Sequence, residues 1–205
     1  MMEQTKQYEY VDLGLPSGLK WAKCNVGAEK ETDYGYYFQW GDTVNKGNSD
    51  CIWASYKYGD CSKFSKYNTS TAFGENPDSK TTLDLKDDAA THIMGGDWRM
   101  PTQNEFQELL DNTDNEWIEN FNESGVNGRK FTSRIDTSKY IFIPASGSRL
   151  GSLSAYQSSL GFVWSSSLYT SNPNCAWNLY FDSDDIATDD HDYRNYGHVV
   201  RGVMD

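Results

Sequence analysis

Between Ser165 and His198 the chain draws on five polar residue types, Asn, Asp, Tyr, His and Ser, set among a few apolar anchors. The run reads Ser165-Ser166-Ser167-Leu168-Tyr169-Thr170-Ser171-Asn172-Pro173-Asn174-Cys175-Ala176-Trp177-Asn178-Leu179-Tyr180-Phe181-Asp182, and continues as Asp189-Asp190-His191-Asp192-Tyr193-Arg194-Asn195-Tyr196-Gly197-His198. These types suit recognition. Tyr supplies a large amphipathic contact area at low entropy cost, and Ser and Asn supply adaptable hydrogen bonds. The types are also one mutational step apart, because an Asn codon AAC becomes Asp, His, Tyr or Ser by a single change at one of its two adenines. Adenine-directed mutagenesis of an Asn-rich template would leave this composition. The plain alternative is a polar surface segment biased toward turn formers. Against it, Trp164, Trp177, Leu179, Phe181, Val199, Val200 and Val203 interrupt the polar positions at strand-like spacing, so the segment reads as folded.

Catalytic chemistry is poorly served by the same residues. Carboxylates are plentiful, yet no spacing selects a general acid and a general base. His92 stands beside Ile93 and Met94 and reads as structural, while His191 and His198 belong to the polar run. The four cysteines, Cys24, Cys51, Cys61 and Cys175, match no zinc template. Cys51 and Cys61 could close a local disulfide, but in a reducing compartment all four stay thiols, and free thiols are the expectation. No cofactor is expected. Calcium-dependent sugar binding is the alternative function. Asn172-Pro173-Asn174 and Trp177-Asn178 loosely resemble the sugar-site motifs of calcium-dependent lectins, and Asp182-Ser183-Asp184-Asp185 or Asp189-Asp190-His191-Asp192 could supply hard oxygen ligands. The spacing is too short for the lectin pattern, so metal-free contact through aromatic and amide side chains is the simpler expectation.

The 205 residues carry no Pro/Gly/Ser linker or composition shift, so residues 1–205 read as one domain. A formal net charge of -12 repels phosphate backbones and anionic lipid alike, which sets the chain against nucleic acid and membrane surfaces. Mean hydropathy is low at -0.75, but 7 Trp and 14 Tyr provide material for a core, because aromatics bury large areas each. The start, Met1 to Tyr8, lacks an apolar stretch of the signal-peptide kind, and no segment has the length to span a bilayer. The expectation is a soluble chain without an ordinary export signal, of unknown compartment, with display on a virion or a cell surface requiring lysis or a removed leader.

Several elements must position the polar run. Tyr8 to Trp21 predicts strand, turn and strand, with Pro16 to Gly18 as the turn, and Tyr36 to Trp40 predicts another strand. Residues 44 to 82 are polar with scattered aromatics and predict a long surface excursion. Leu85 to Met94 predicts a helix, its acids Asp84, Asp87 and Asp88 placed at the positive end of the dipole. A second helix is better marked, since Thr102-Gln103-Asn104-Glu105 is a capping box after Pro101 and Phe106, Leu109 and Leu110 follow at helical spacing to about Asp111. Gly125 to Gly128 is a hairpin signal before strands near Lys130 to Thr132 and Tyr140 to Pro144. Strands at Gly161 to Ser165, Ala176 to Phe181 and His198 to Val203 complete the chain, joined by polar loops. Two early helices with many short later strands and long loops indicate an α+β domain.

Three ordered segments carry a family resemblance: Val11 to Ala22 (VDLGLPSGLKWA) with Cys24 to Ala28 (CNVGA), Asp87 to Ala90 (DDAA) with Gly95 to Thr102 (GGDWRMPT), and Trp164 to Ser167 (WSSS) with Val200 to Val203 (VRGV). From about Tyr8 to Val203 the chain resembles the large paralogous domain family of anaerobic gut bacteria and their phages. That family looks like the formylglycine-generating-enzyme (sulfatase-modifying factor) type of C-type lectin fold. The fold includes variable proteins diversified by retroelements, phage receptor-binding proteins among them, in which a reverse transcriptase rewrites adenine-containing codons near the C-terminus. The resemblance therefore implies a C-type lectin-like fold with a variable region at about 164 to 203, and a non-enzymatic partner in recognition of a protein or glycan on a target cell surface. An adhesive or structural module of a surface or virion assembly is the further alternative.

Carried over by position, the implied ligand-binding residues are Tyr169, Asn172, Asn174, Asn178, Tyr180, Asp182, Asp190, His191, Asp192, Tyr193, Asn195, Tyr196 and His198. The four tyrosines are the expected rigid anchors and the four asparagines the orienting groups. Trp164, Trp177, Leu179, Phe181, Arg194, Gly197 and Arg201 are expected to hold the scaffold, with Tyr180 facing away from Leu179 and Phe181. Trp98-Arg99 reads as a packed structural pair. Oxidases of the same fold use paired cysteines in the C-terminal half, where this chain has only Cys175.

Overall fold

The computed structural model describes residues 7–47 and 49–205. The expectation of a start without a leader rests mainly on Met1 to Lys6 and lies outside the described residues. In chain order, β1 (Tyr10–Asp12) pairs antiparallel with β2 (Lys20–Asn25) across a turn in which the Gly18 amide donates to the Leu15 carbonyl at 2.9 Å. A tight hairpin of β3 (Gly59–Asp60) and β4 (Lys63–Phe64) follows. Next come α1 (Ala89–Met94) and α2 (Gln103–Asn112). β5 (Thr113–Ile118), β6 (Gly128–Ser133) and β7 (Tyr140–Pro144) form an antiparallel meander, and β8 (Ser148–Leu150) with β9 (Leu153–Ala155) forms a small hairpin. A second meander consists of β10 (Gly161–Leu168), β11 (Cys175–Phe181) and β12 (Ile186–Tyr193). Finally β13 (Arg201–Met204) returns to flank β2, with Val203 opposite Trp21. Among the described residues this is an α+β arrangement of two helices and small antiparallel sheets.

The second helix begins where its capping box places it. Thr102 Oγ1 accepts the Glu105 amide at 3.3 Å, and Glu105 returns a carboxylate oxygen to the Thr102 amide at 2.7 Å. The same Glu105 carboxylate holds Arg99 through two short bonds, so the segment before the helix is tied to its first turn.

Four local expectations need correction. The helix read at Leu85 to Met94 is two pieces, a 3-10 turn at Leu85–Asp87 and then α1. Asp88 separates them because it is extended and spends its two oxygens on the Thr91 amide of α1 and on the Met100 amide. Asp84 and Asp87 are not dipole partners but bind lysines. Tyr36 to Trp40 makes no strand; Phe38 and His198 exchange backbone bonds in an isolated bridge, and the Tyr36 and Trp40 amides donate to the carbonyls of Val26 and Arg194. The stretch expected as polar loop before His198 is largely β12. Most consequential is the excursion at 44 to 82, which is not a surface loop throughout: Tyr56, Tyr58, Phe64 and Tyr67 are buried within it.

Those buried tyrosines create a second core. The first core packs α2, through Phe106 and Leu109, against Trp21, Phe131, Ile141, Val163, Leu179 and Phe181. The second gathers Phe38, Trp40, Tyr56, Tyr58, Phe64 and Tyr67 with Trp164, Ala176 and Val200. Strand β10 serves both, because successive side chains point to opposite faces: Val163 enters the first core and Trp164 the second. Fully buried Arg201 joins three elements by donating to Asn25 Oδ1 and to the carbonyls of Ala22, Lys23 and Phe142. Burial pushes its pKa down to about 10.

Candidate functional site

The sheet β10-β11-β12 carries most of the polar run, and its register decides which side chains meet. Phe162 lies opposite Tyr180, Trp164 opposite Asn178, and Asn178 opposite Asp190. Side-chain alternation therefore puts Phe162, Trp164, Asn178, Tyr180 and Asp190 on one face. At one end of that face the second core covers Trp164 and Ala176. Beyond that cover Phe162, Tyr180 and Asp190, with Asp192 opposite Ala176, join Tyr196 and the β8–β9 side of the chain (Ser148, Leu150, Tyr156) around a shallow depression of about 390 Å³. The depression thus continues the second core where its cover stops.

The boundary between core and depression is His198. It is fully buried, with its ring 4.1 Å from Trp164 on one side and stacked on Phe162 at 5.0 Å on the other. Its Nε2 lies 3.0 Å from Asp192 Oδ2, and since an ionised carboxylate only accepts, the imidazole donates. Phe162 in turn meets Tyr180 at 5.5 Å, so the floor of the depression is a continuous aromatic layer. Tyr180 donates to Asp182 Oδ2 at 2.6 Å, and that carboxylate, more than any other cause, pushes the phenol up to about 12. On the far wall Tyr156 is exposed and adopts a left-handed backbone with φ of 64°. A non-glycine residue there stores strain of about 1 kcal/mol or more.

The thirteen candidates do not form one patch. Tyr180, Asp190, Asp192 and Tyr196 line the depression. Asn178, Asn195 and His198 are buried, at 1%, 6% and 0% exposure, and this corrects their expected role as contact groups. Asn195 donates to the Cys51 carbonyl and His198 spans the backbone bridge to Phe38, so both are packing residues. Tyr169 and His191 cluster with Trp177, at centroid separations of 3.9 to 5.6 Å, and the register pairs Trp177 with His191 one step out of phase with the depression face. Tyr193 is exposed and rests edge-on against Trp53 and Tyr196. Asn172 and Asn174 are bonded to one another, the Asn172 side-chain oxygen accepting the Asn174 amide and carboxamide, while the buried Asn174 Oδ1 has no partner among the described residues. Asp182 is a turn residue, accepting from Tyr180 and from the Asp184 and Asp185 amides.

Of the scaffold residues, Trp164, Leu179, Phe181, Arg194 and Arg201 have no exposure, while Trp177 is only half-buried. Gly197 is held to its identity by space: a Cβ there would sit 2.7 Å from Cys51 Sγ and 2.8 Å from Arg149 Cβ. That close approach lets Gly197 exchange backbone bonds with Arg149 and fixes β8 beside the depression.

Phe162, Ser148, Leu150 and Tyr156 were missed by sequence reasoning. Phe162 alternates with Val163 in a strand that was expected, so its position opposite the buried phase was a usable signal. The β8–β9 wall gave none, since its short strands are set by backbone pairing rather than by an apolar pattern.

Other chemistry is sparse. The four cysteines are free thiols, and burial pushes Cys175 and Cys51 each up to about 11. A larger cavity of about 500 Å³ beside β2 is lined by both charge signs, including the Lys23–Glu9 ion pair, and by the half-buried Cys24, whose thiol burial also raises. None of the thirteen candidates reaches it. Among the described residues no three His, Cys, Asp or Glu side chains are grouped as a metal site, and no helix is long and apolar enough to cross a membrane. Comparison with known proteins finds no matching family model, no matching curated protein and no matching solved structure.

Proposed function

We propose that this chain is a non-enzymatic recognition protein with a C-type lectin-like fold, whose C-terminal sheet offers the depression at Phe162, Tyr180, Asp190, Asp192 and Tyr196 to a macromolecule on a target surface. The positions around it are those that a diversity-generating retroelement rewrites. One observation carries this: the rim and the scaffold occupy alternate positions of the same strands. Tyr180 lines the depression between Leu179 and Phe181, both fully buried. A side chain can therefore change at the rim without disturbing its neighbours in the core, which is what a changeable site on a rigid frame requires.

Deep sequencing of the 3′ end of the gene in its native population tests the proposal. Substitutions should concentrate in the codons of Tyr180, Asp190, Asp192, Tyr193 and Tyr196 and spare those of Trp164, Leu179, Phe181, Arg194 and Arg201, with an adenine-bearing near-copy beside a reverse-transcriptase gene. An invariant 3′ end, or changes spread evenly over buried and exposed codons, would sink it.

A further inference from the structure

We infer that the depression takes a cationic planar group, the guanidinium of an arginine side chain on a protein partner; this rests on the recognition function proposed above. Among the described residues the charged groups lining it are two carboxylates and no Lys or Arg. Asp190 and Asp192 stand two residues apart on β12, roughly 7 Å along the strand, and side-chain alternation turns both toward the depression. Asp192 has a partner in His198. The carboxylate of Asp190, half-buried, has no hydrogen bond or ion pair among the described residues, and Asn178 opposite it leaves both side-chain polar atoms unpartnered at 1% exposure. Arg149, the basic residue of β8, is turned away onto Ser152 and Ser154. A half-buried carboxylate without a counter-charge, in a chain of net charge -12, offers an incoming cation a complementary partner.

The walls select the shape of that cation. Phe162, Tyr180, Tyr196 and Tyr156 surround the carboxylates with aromatic rings, three of them phenols. A guanidinium stacks on ring faces while its N–H fork meets a carboxylate in two parallel bonds, whereas an ammonium offers only a hydrated point charge. A neutral sugar could also stack on these rings, but it would leave the Asp190 charge uncompensated, and an anionic sugar would be repelled by it.

The test uses the full-length protein, isotopically labelled, titrated with N-acetyl-arginine amide, its uncharged citrulline counterpart and maltose at about 0.1 M salt, where surface charge is largely screened. Saturable shifts confined to Phe162, Tyr180, Asp190, Asp192 and Tyr196 are expected for the arginine probe, with the citrulline probe about tenfold weaker or worse. Asp190→Asn should weaken the arginine probe by about tenfold while the Tm stays near that of the parent. Equal affinity for citrulline, or tighter binding of maltose at the same residues, would overturn the arginine assignment and leave the recognition proposal standing. Absence of any shift at the depression, or shifts scattered over acidic surface, would overturn the assignment as well. Invariance of the gene's 3′ end bears on the recognition proposal alone.

Discussion

The guanidinium carbon of Arg194 lies 3.8 Å from the centroid of the Phe64 ring, and the rings of Tyr56 and Trp40 stand at 5.2 and 5.4 Å from it. One N–H group donates to the Tyr67 carbonyl at 2.8 Å. A cation from the polar C-terminal run is thus enclosed by Trp40 and by two rings of the 44 to 82 excursion, and burial lowers its pKa. This contact draws the excursion onto the sheet and closes the second core.

Arg194→Ala should accordingly cost about 3 kcal/mol in urea unfolding, since it leaves a cavity and an unpaired carbonyl. Arg194→Lys should recover less than half of that, because the ring stacking needs a planar group. A loss below about 1 kcal/mol would mean that the excursion is held by its aromatic contacts alone.

Asp87 makes the same excursion sensitive to acid. Burial by itself would raise its pKa, but Lys66, Tyr67 and Lys57 all bind the carboxylate, and together they hold it well below the usual carboxylate range. A depressed folded pKa contributes stability that is present above the unfolded value of about 3.9 and is lost as pH falls through the folded value. Asp87→Asn should therefore cost about 2 kcal/mol or more at pH 7, and the gap to the parent should narrow steadily below about pH 4. A gap of constant size between pH 7 and pH 2 would assign the loss to packing.

Calcium should do little. The Asp182 carboxylate is already engaged by Tyr180 and by two amides of its own turn. Adding about 1 mM calcium, or a chelator, is expected to leave the Tm unchanged, whereas a site that binds the ion in the folded state must raise it. A calcium-dependent rise of several degrees would revive the lectin alternative.

Tyr156→Gly separates binding from folding on the wall of the depression. Its backbone is left-handed, a conformation that glycine adopts freely, so the variant should keep its Tm or gain slightly. Probe affinity at the depression should nevertheless fall, because an aromatic wall is lost. A large drop in Tm would show that the ring is a packing element.

Tyr193 and Tyr196 should part company on truncation. Tyr193 is 45% exposed and its replacement by Ala should cost under about 1 kcal/mol, while half-buried Tyr196, packed against His198 and the second core, should cost about 2 kcal/mol. Equal costs in thermal unfolding would contradict the difference in burial.

Much of the frame was legible in single residues. The Thr102 and Glu105 capping box placed α2, the alternation of Leu179, Tyr180 and Phe181 placed β11 and its faces, and the 7 Trp and 14 Tyr announced an aromatic interior. These are local rules with periods of two or 3.6 residues, and they act within one strand or one helical turn. Even the break at Asp88 had its local sign, a capping acid before Ala89.

What only the tertiary structure decided is which of those local faces meet. The excursion at 44 to 82 looked polar because its buried tyrosines are spaced by turns rather than by a period, and their interior is completed by Arg194, more than a hundred residues away. The same pairing sorted the polar run: strand register placed Asp190 opposite Asn178 and Asp192 opposite Ala176, on the face that Tyr180 shares, and turned Trp177 and His191 to the other phase. Composition identifies residue types fit for contact, but a one-residue change of register exchanges the faces they occupy, and register is set by long-range backbone pairing that the types alone do not encode.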